Sequence, residues 1–416
     1  GWASARAYWF PNIRSLPGAV LVLSFTLYPY VYLLARASFR ELPASGQDVA
    51  RSLGLGSVRQ FWRVSLPQAR PAIAAGTAIV MMETLNDFGT VDYFAVQTLT
   101  TGIFSLWLES YNPGGAAQLA LMAVAIVGVL LWVEKMGRRK ARFNKSGRQI
   151  ARIQPQTSTG YVGVLALLYC LIPIAIGFLI PLMVLVKPSL SDSSLWSAIG
   201  LWRAAGNSLL LGSISAALVV GLSAVMVLGL KGISPSMRKF LQTLTTLGYA
   251  FPGAVLGLGV LVPLALFDNW IADLIFAVFN IDPGLILTGS VGALILAYVV
   301  RFFAIGVGAS EAGLAAIPTN IPLVAQSLGS SPRALFFKIY QPLMRGSLAS
   351  ALVLVFVDTV KELPATLLLR PFNFDTLSTH IYSQASLENF NAAAPAALMV
   401  VTLSFGAIIL LAKAHR

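Results

Sequence analysis

Asp48-Val-Ala-Arg-Ser-Leu-Gly54, followed by Val64-Ser-Leu-Pro67, returns in this chain as Leu323-Val-Ala-Gln-Ser-Leu-Gly329, followed by Ile339-Tyr-Gln-Pro342, 275 residues later. Both copies are polar and basic, and both lie between long apolar runs. Gly54 and Gly329 supply a backbone position without a Cβ, suited to a sharp turn. Pro67 and Pro342 stand before the next apolar run, where a helix is expected to begin rather than to run through from upstream. Between glycine and proline, Arg59, Phe61, Trp62 and Arg63 mix cations with aromatics, as do Arg333, Phe336, Phe337 and Lys338. Such a short helix suits a partner's groove; it would also suit an inner-leaflet surface. Its duplication favours two pseudo-equivalent docking sites for a two-fold partner.

Working outward, the chain is 57% hydrophobic and 11% charged, with a mean hydropathy of +0.77. That balance excludes an ordinary soluble domain. Apolar runs able to cross a bilayer occur near 16–37, 71–93, 116–136, 161–186, 207–230, 240–267, 287–309, 345–368 and 394–413; each is close to the span length of about 20 residues. Alternating these nine spans puts both repeated loops on one face. That face collects 23 of the 29 lysines and arginines and leaves 6 elsewhere. The net charge of +13 therefore marks a cytoplasmic face beside anionic lipid rather than a nucleic-acid surface. Cys170, the single cysteine, lies within a span, so neither a disulfide framework nor a cysteine metal site is expected. His380 and His415 stand far apart, and both are expected to be solvated.

The repeat continues beyond the loop. Met82-Glu-Thr-Leu-Asn-Asp87 matches Val357-Asp-Thr-Val-Lys-Glu362, and Thr98-Leu-Thr-Thr-Gly-Ile103 matches Thr376-Leu-Ser-Thr-His-Ile381. Between the halves, the basic run 138–158 reads as a cytoplasmic linker. It separates a first half at 1–137, with three spans, from a second at 159–416, with six. By the repeat, about three further spans are expected before Gly1. Gly253 and Gly257, one turn apart, are expected to allow close helix packing.

Acids in the spans offer a candidate translocation path of Glu83, Thr84, Asp87, Asp358, Thr359 and Glu362. Glu83 and Asp87, like Asp358 and Glu362, are four apart and so expected on one helix face. Carboxylates are hard oxygen donors that could touch a hard cation such as Fe(III) in transit, although no resident metal site is expected. The other reading is structural, with Lys361 neutralising Glu362.

The spacing of Asp48, Ala50, Gly54, Val64, Leu66 and Pro67, and of Ala325, Gly329, Ile339 and Pro342, resembles the coupling loop of membrane subunits in binding-protein-dependent ABC importers. The stretches 82–96 and 361–377 are similar to the fused ferric-iron permeases. The resemblance implies an all-α polytopic protein of two pseudo-repeated type I permease halves in a bacterial inner membrane. It implies coupling through Asp48, Ala50, Gly54, Arg59, Trp62, Arg63, Pro67, Ala325, Gly329, Arg333, Phe337, Lys338 and Pro342. It also implies a homodimeric cytoplasmic ATP-binding partner carrying ATP and Mg, and a periplasmic binding protein. In keeping with a separate ATPase, the chain has no phosphate-loop motif of its own. Thiamine, polyamine or another small cargo fits the same architecture. An ATPase-independent channel or secondary transporter is the reading from a different class, and it gives no reason for two docking turns.

Overall fold

The computed structural model describes residues 12–42, 44–141, 160–318 and 320–414, all of them helix, turn or loop. Two compact units divide the chain, Gly1–Met183 and Val184–Arg416. The linker expected at 138–158 lies mostly outside the described residues, as does His415.

In the first unit, α1 is Leu16–Arg40 and α2 is Ala44–Ser52. Helix α3 runs over 57–86, α4 is Gly89–Tyr93 and α5 is Leu99–Phe104. Then come α6, Pro113–Ala141, and α7, Gly160–Ser191, whose last residues enter the second unit. Small residues let these helices touch backbone to backbone. A Cβ on Gly76 of α3 would stand 2.7 Å from the Val31 Cα of α1, and one on Gly177 of α7 would strike the Phe25 carbonyl of α1. This second contact explains why most of α7 packs with the first unit although it follows the linker.

The second unit holds α8, Ile199–Gly229; α9, Pro235–Ala250; α10, Gly253–Phe279; and α11, Val291–Ala315. It continues with α12, Asn320–Ser327; α13, Pro332–Val360; α14, Pro364–Leu369; α15, Leu377–Ser386; and α16, Phe390–Ala414. Helices α8, α11 and α13 pack against one another around Leu211, Val219, Leu294, Tyr298, Phe302 and Val355. Gly212 of α8 faces the Phe356 ring and Gly306 of α11 faces Ser223. A second cluster joins Leu201, Val360, Leu377 and Ala396. Apolar side chains gain little by leaving lipid, so close packing of this kind is what holds membrane helices together.

The repeat is legible in the helix limits. Helices α1 and α11 begin and end 275 residues apart, and α2 to α6 match α12 to α16 in order. Among the described residues, eight helices are long and apolar enough to cross a membrane: α1, α6, α7, α8, α10, α11, α13 and α16. Two expected spans need correction. The run expected at 71–93 is α3, which ends at Asn86 and carries Gln68, Arg70 and Glu83 among small residues. The run expected at 240–267 is broken at Phe251-Pro252, because proline has no N–H to continue α9. The span is instead α10, reaching Phe279.

Candidate functional site

Each repeated segment is a short helix, a left-handed glycine and a second helix. Gly54 has φ +76° and Gly329 φ +82°. In the first copy, the Gly54 N–H donates to the Arg51 carbonyl at 2.9 Å and the Leu55 N–H to the Ala50 carbonyl at 3.0 Å. In the second, Gly329 donates to Gln326 at 2.9 Å and Ser330 to Ala325 at 3.0 Å. This pair of bonds is a Schellman cap. It accounts for the shared spacing of alanine and glycine: the alanine carbonyl accepts the longer bond, and the glycine takes the conformation that a Cβ disfavours.

The helices after the turns begin ten residues before the prolines, at Ser57 and Pro332, and continue through them. The expectation that Pro67 and Pro342 start the helix is thus corrected. Each is preceded by one wide π turn, Phe61–Ser65 or Phe336–Tyr340. There the Leu66 N–H donates to Phe61 O, and the Gln341 N–H to Phe336 O, five residues back. An inserted residue just ahead of the ring relieves the clash that proline brings to a regular helix.

The turns present apolar side chains at equivalent places. Val49 and Val324, Leu53 and Leu328, and Trp62 and Phe337 are all more than half exposed. Arg59, Arg63, Arg333 and Lys338 are exposed around them, as is Asp48, whereas Ala50 is buried. The valines and leucines are not among the sequence candidates. Their signal is there to read: an apolar residue kept at both copies of an otherwise polar loop.

The acids sit differently from expectation. Helix α3 ends at Asn86, and Asp87 turns to extended backbone (ψ 131°), leaving the face of Glu83. Its carboxylate accepts from the Thr90 amide at 3.0 Å, the Val91 amide at 3.1 Å and the Thr90 hydroxyl at 3.0 Å, capping α4. Likewise, α13 ends at Val360, and Glu362 lies beyond it rather than on the face of Asp358. Both pairs part because the helix stops between their members.

Lys361 pairs with Asp358 at 2.8 Å, not with Glu362. The partner of Glu362 is Arg301 of α11, whose Nε lies 3.1 Å from Oε2, with both side chains almost fully buried. Glu362 Oε1 also accepts from the Ala365 amide at 3.2 Å, at the start of α14. The Arg301 Nη1 donates to Phe251 O, the carbonyl where α9 breaks off, at 3.3 Å. Close by, Tyr298 Oη and Thr366 Oγ1 are 2.5 Å apart, and Thr366 donates to Glu362 O at 2.8 Å. A Cβ on Gly253 would lie 2.5 Å from Glu362 Oε1, and one on Gly257 would lie 2.9 Å from Leu368 Cδ1. Both glycines therefore serve close packing of α10 on α14, with Gly253 opening the helix instead of sitting inside it. Arg301 is absent from the sequence candidates, although a lone arginine inside an apolar run is a signal in itself.

Thr84 and Thr359 each turn the hydroxyl back on their own helix, to Val80 O and Val355 O at 2.8 Å. His380, expected in a solvated loop, is half-buried on α15. Burial lowers its pKa below the usual histidine value, against the opposing pull of Asp375.

Residues 9–142 match the family described as binding-protein-dependent transport system inner membrane component. The chain is 28% identical over 405 residues to the Fe(3+)-transport system permease protein FbpB 2 of Haemophilus influenzae, covering 95% of this chain and 76% of that one. It is 26% identical to the molybdenum transport system permease protein ModB of Escherichia coli, covering 34% of this chain and 67% of the relative. A chain of a bacterial alginate ABC transporter structure aligns at 17% identity with a TM-score of 0.49, covering 61% of this chain and 92% of that chain. On the family match over residues 9–142 and the likeness that runs nearly end to end, the chain is similar to the binding-protein-dependent ABC transporter permeases, multi-pass proteins of the inner membrane.

Proposed function

We propose that this chain is the translocation subunit of an ATP-driven importer of ferric iron. The observation that carries the proposal is the docking turn built twice with the same hydrogen bonds, φ and exposed apolar residues. In this reading each turn seats in a groove of one subunit of a homodimeric cytoplasmic ATPase, which holds ATP and Mg. A periplasmic binding protein delivers the cargo on the other face. Ferric iron as cargo is supported by the likeness to the Haemophilus influenzae permease over 95% of this chain; the likeness to the molybdenum permease covers 34%. Within the path, Glu83 and Asp358 are the acids proposed to meet the cation. Asp87 serves mainly as a helix cap, and Glu362 is held by Arg301.

The test is uptake into proteoliposomes that hold the permease with its ATPase, supplied with loaded binding protein. ATP-dependent accumulation of labelled ferric iron, with no accumulation of molybdate or sulfate, is the expected result. Accumulation of an oxyanion in place of iron would overturn the cargo assignment. Uptake that continues without ATPase would overturn the importer reading altogether.

A further inference from the structure

The buried ion pair of Arg301 and Glu362 is not demanded by the local fold. The first unit makes the same passage from long helix to short helix to threonine-capped helix. There Asp87 caps α4 through Thr90 and Val91, and Thr98 and Thr101 build the capping box that Thr376 and Thr379 build in the second. At the offset of 275, the place of Arg301 is taken by Thr26, which donates to Val22 O of its own helix at 3.0 Å. A turn that forms without an arginine in one unit does not need one in the other. Burying two charges is costly, and apolar residues of similar volume often serve stability as well.

What the pair adds is a link between two broken helix ends. Arg301 satisfies a carbonyl at the end of α9, where positive charge is favoured, and Glu362 satisfies an amide at the start of α14. The buried start of α10 closes on the same carboxylate, with room only for glycine at position 253. The link is also incomplete: the Nε hydrogen of Arg301 is not aligned on the carboxylate that lies 3.1 Å away. Ends that must be satisfied inside a membrane, and that share one ion pair, change together when the pair parts.

We propose that Arg301 is a positioning residue of the transport cycle: with Glu362 it forms a latch that is closed in this structure, and its opening lets α10 and α14 separate. This rests on the reading of the chain as an ATP-driven importer, but not on its cargo. The experiment uses the whole complex in proteoliposomes, with the Cys170→Ser chain as the control. If that control fails to transport, the importer reading is at fault; the latch is judged against its rate.

A built Cβ at Gly257 lies 3.3 Å from Leu368 Cβ, close to the Cβ spacing of a disulfide, about 3.5–4.5 Å. Gly257→Cys with Leu368→Cys therefore allows α10 to be locked to α14 without touching the latch. Oxidation should cut uptake at least roughly tenfold, and reductant should restore it, because a step of the cycle is blocked. Uptake at the control rate with the cross-link confirmed by mass would overturn the proposal.

The neutral pair Arg301→Gln with Glu362→Gln gives a second measurement should the reduced cysteine variant prove inactive. It keeps hydrogen-bonding capacity and removes the charge. Here ATP hydrolysis in the absence of binding protein should rise by roughly tenfold while uptake falls, as expected for a gate that no longer waits for its signal. Hydrolysis and uptake both at control levels would mean a static brace and would overturn the latch.

Discussion

At the end of α3, Asp87 folds its carboxylate onto the amides of the next short helix. At the end of α13, Glu362 does the same for one amide but also faces a buried arginine. Upstream of both, the repeated glycine turns keep nearly the same φ, the same pair of capping bonds and an exposed valine, leucine and aromatic at equivalent places. The comparison separates two kinds of constraint. Under the proposed function a turn offered to a two-fold partner must be built alike in both halves, whereas a helix end inside one unit answers only to its neighbours and can diverge.

The largest effect should come from breaking what the halves share. A β-branched residue at φ near +80° is strained, and nothing lies within 4 Å of a Cβ at either glycine, so the loss is one of backbone conformation and not of space. Gly54→Val with Gly329→Val should lower uptake at least roughly tenfold, with membrane insertion intact, since each left-handed residue costs about 1–3 kcal/mol. Asparagine at both sites, better tolerated there, should retain most activity. Uptake assays beside a count of protein in the membrane fraction check both. Of the single variants, Gly54→Val should be the more harmful, because its copy keeps the acid Asp48.

Next comes the feature that the halves do not share. Glu362→Ala leaves Arg301 buried without its carboxylate, which should cost about 3–5 kcal/mol. Asp87→Ala removes a cap, at about 1 kcal/mol. Thermal aggregation of the solubilised subunit should therefore begin much earlier for the first variant than for the second. Equal shifts would mean that the two helix ends are equivalent after all.

A smaller effect is expected at the acids left on the helices. Glu83→Gln and Asp358→Asn should each slow iron uptake several-fold, on the order of 1 kcal/mol in the barrier, with ATPase assembly unchanged on co-purification. Loss of assembly would mark these acids as braces.

The smallest effect belongs to His380, which has Gly102 as its counterpart in the first half. Its pKa in the folded chain lies below the usual 6.5 through burial. The unfolded chain therefore takes up its proton first as pH falls. Stability should be full above about pH 6.5 and drop through the window between that value and the lowered folded value. Glutamine at position 380 should remove this part of the slope in melts followed from pH 7.5 to 5. Being half-exposed, the histidine should move the midpoint only slightly.

Much of this could be read in the residues alone. Membrane spans show as apolar runs because every backbone group must be satisfied inside lipid. Duplicated Gly54 and Gly329 show as punctuation because no other residue takes a left-handed turn so readily. A basic loop shows its face because lysine and arginine stay on the cytoplasmic side. Pairing was not legible in the same way. Four-residue spacing put Glu83 with Asp87 and Asp358 with Glu362, but that rule holds only while the helix continues, and both helices end between the acids.

By itself, then, the sequence determined an all-α membrane chain with a repeated glycine turn, since hydropathy, charge placement and glycine are properties of single positions and short windows. Tertiary structure decided that the helices run through Pro67 and Pro342, because a π turn absorbs the ring. It decided that Arg301, 61 residues before Glu362, is the partner of that acid. The physical reason is distance along the chain: an ion pair between α11 and the end of α13 depends on how helices pack, and packing depends on many small side chains acting together.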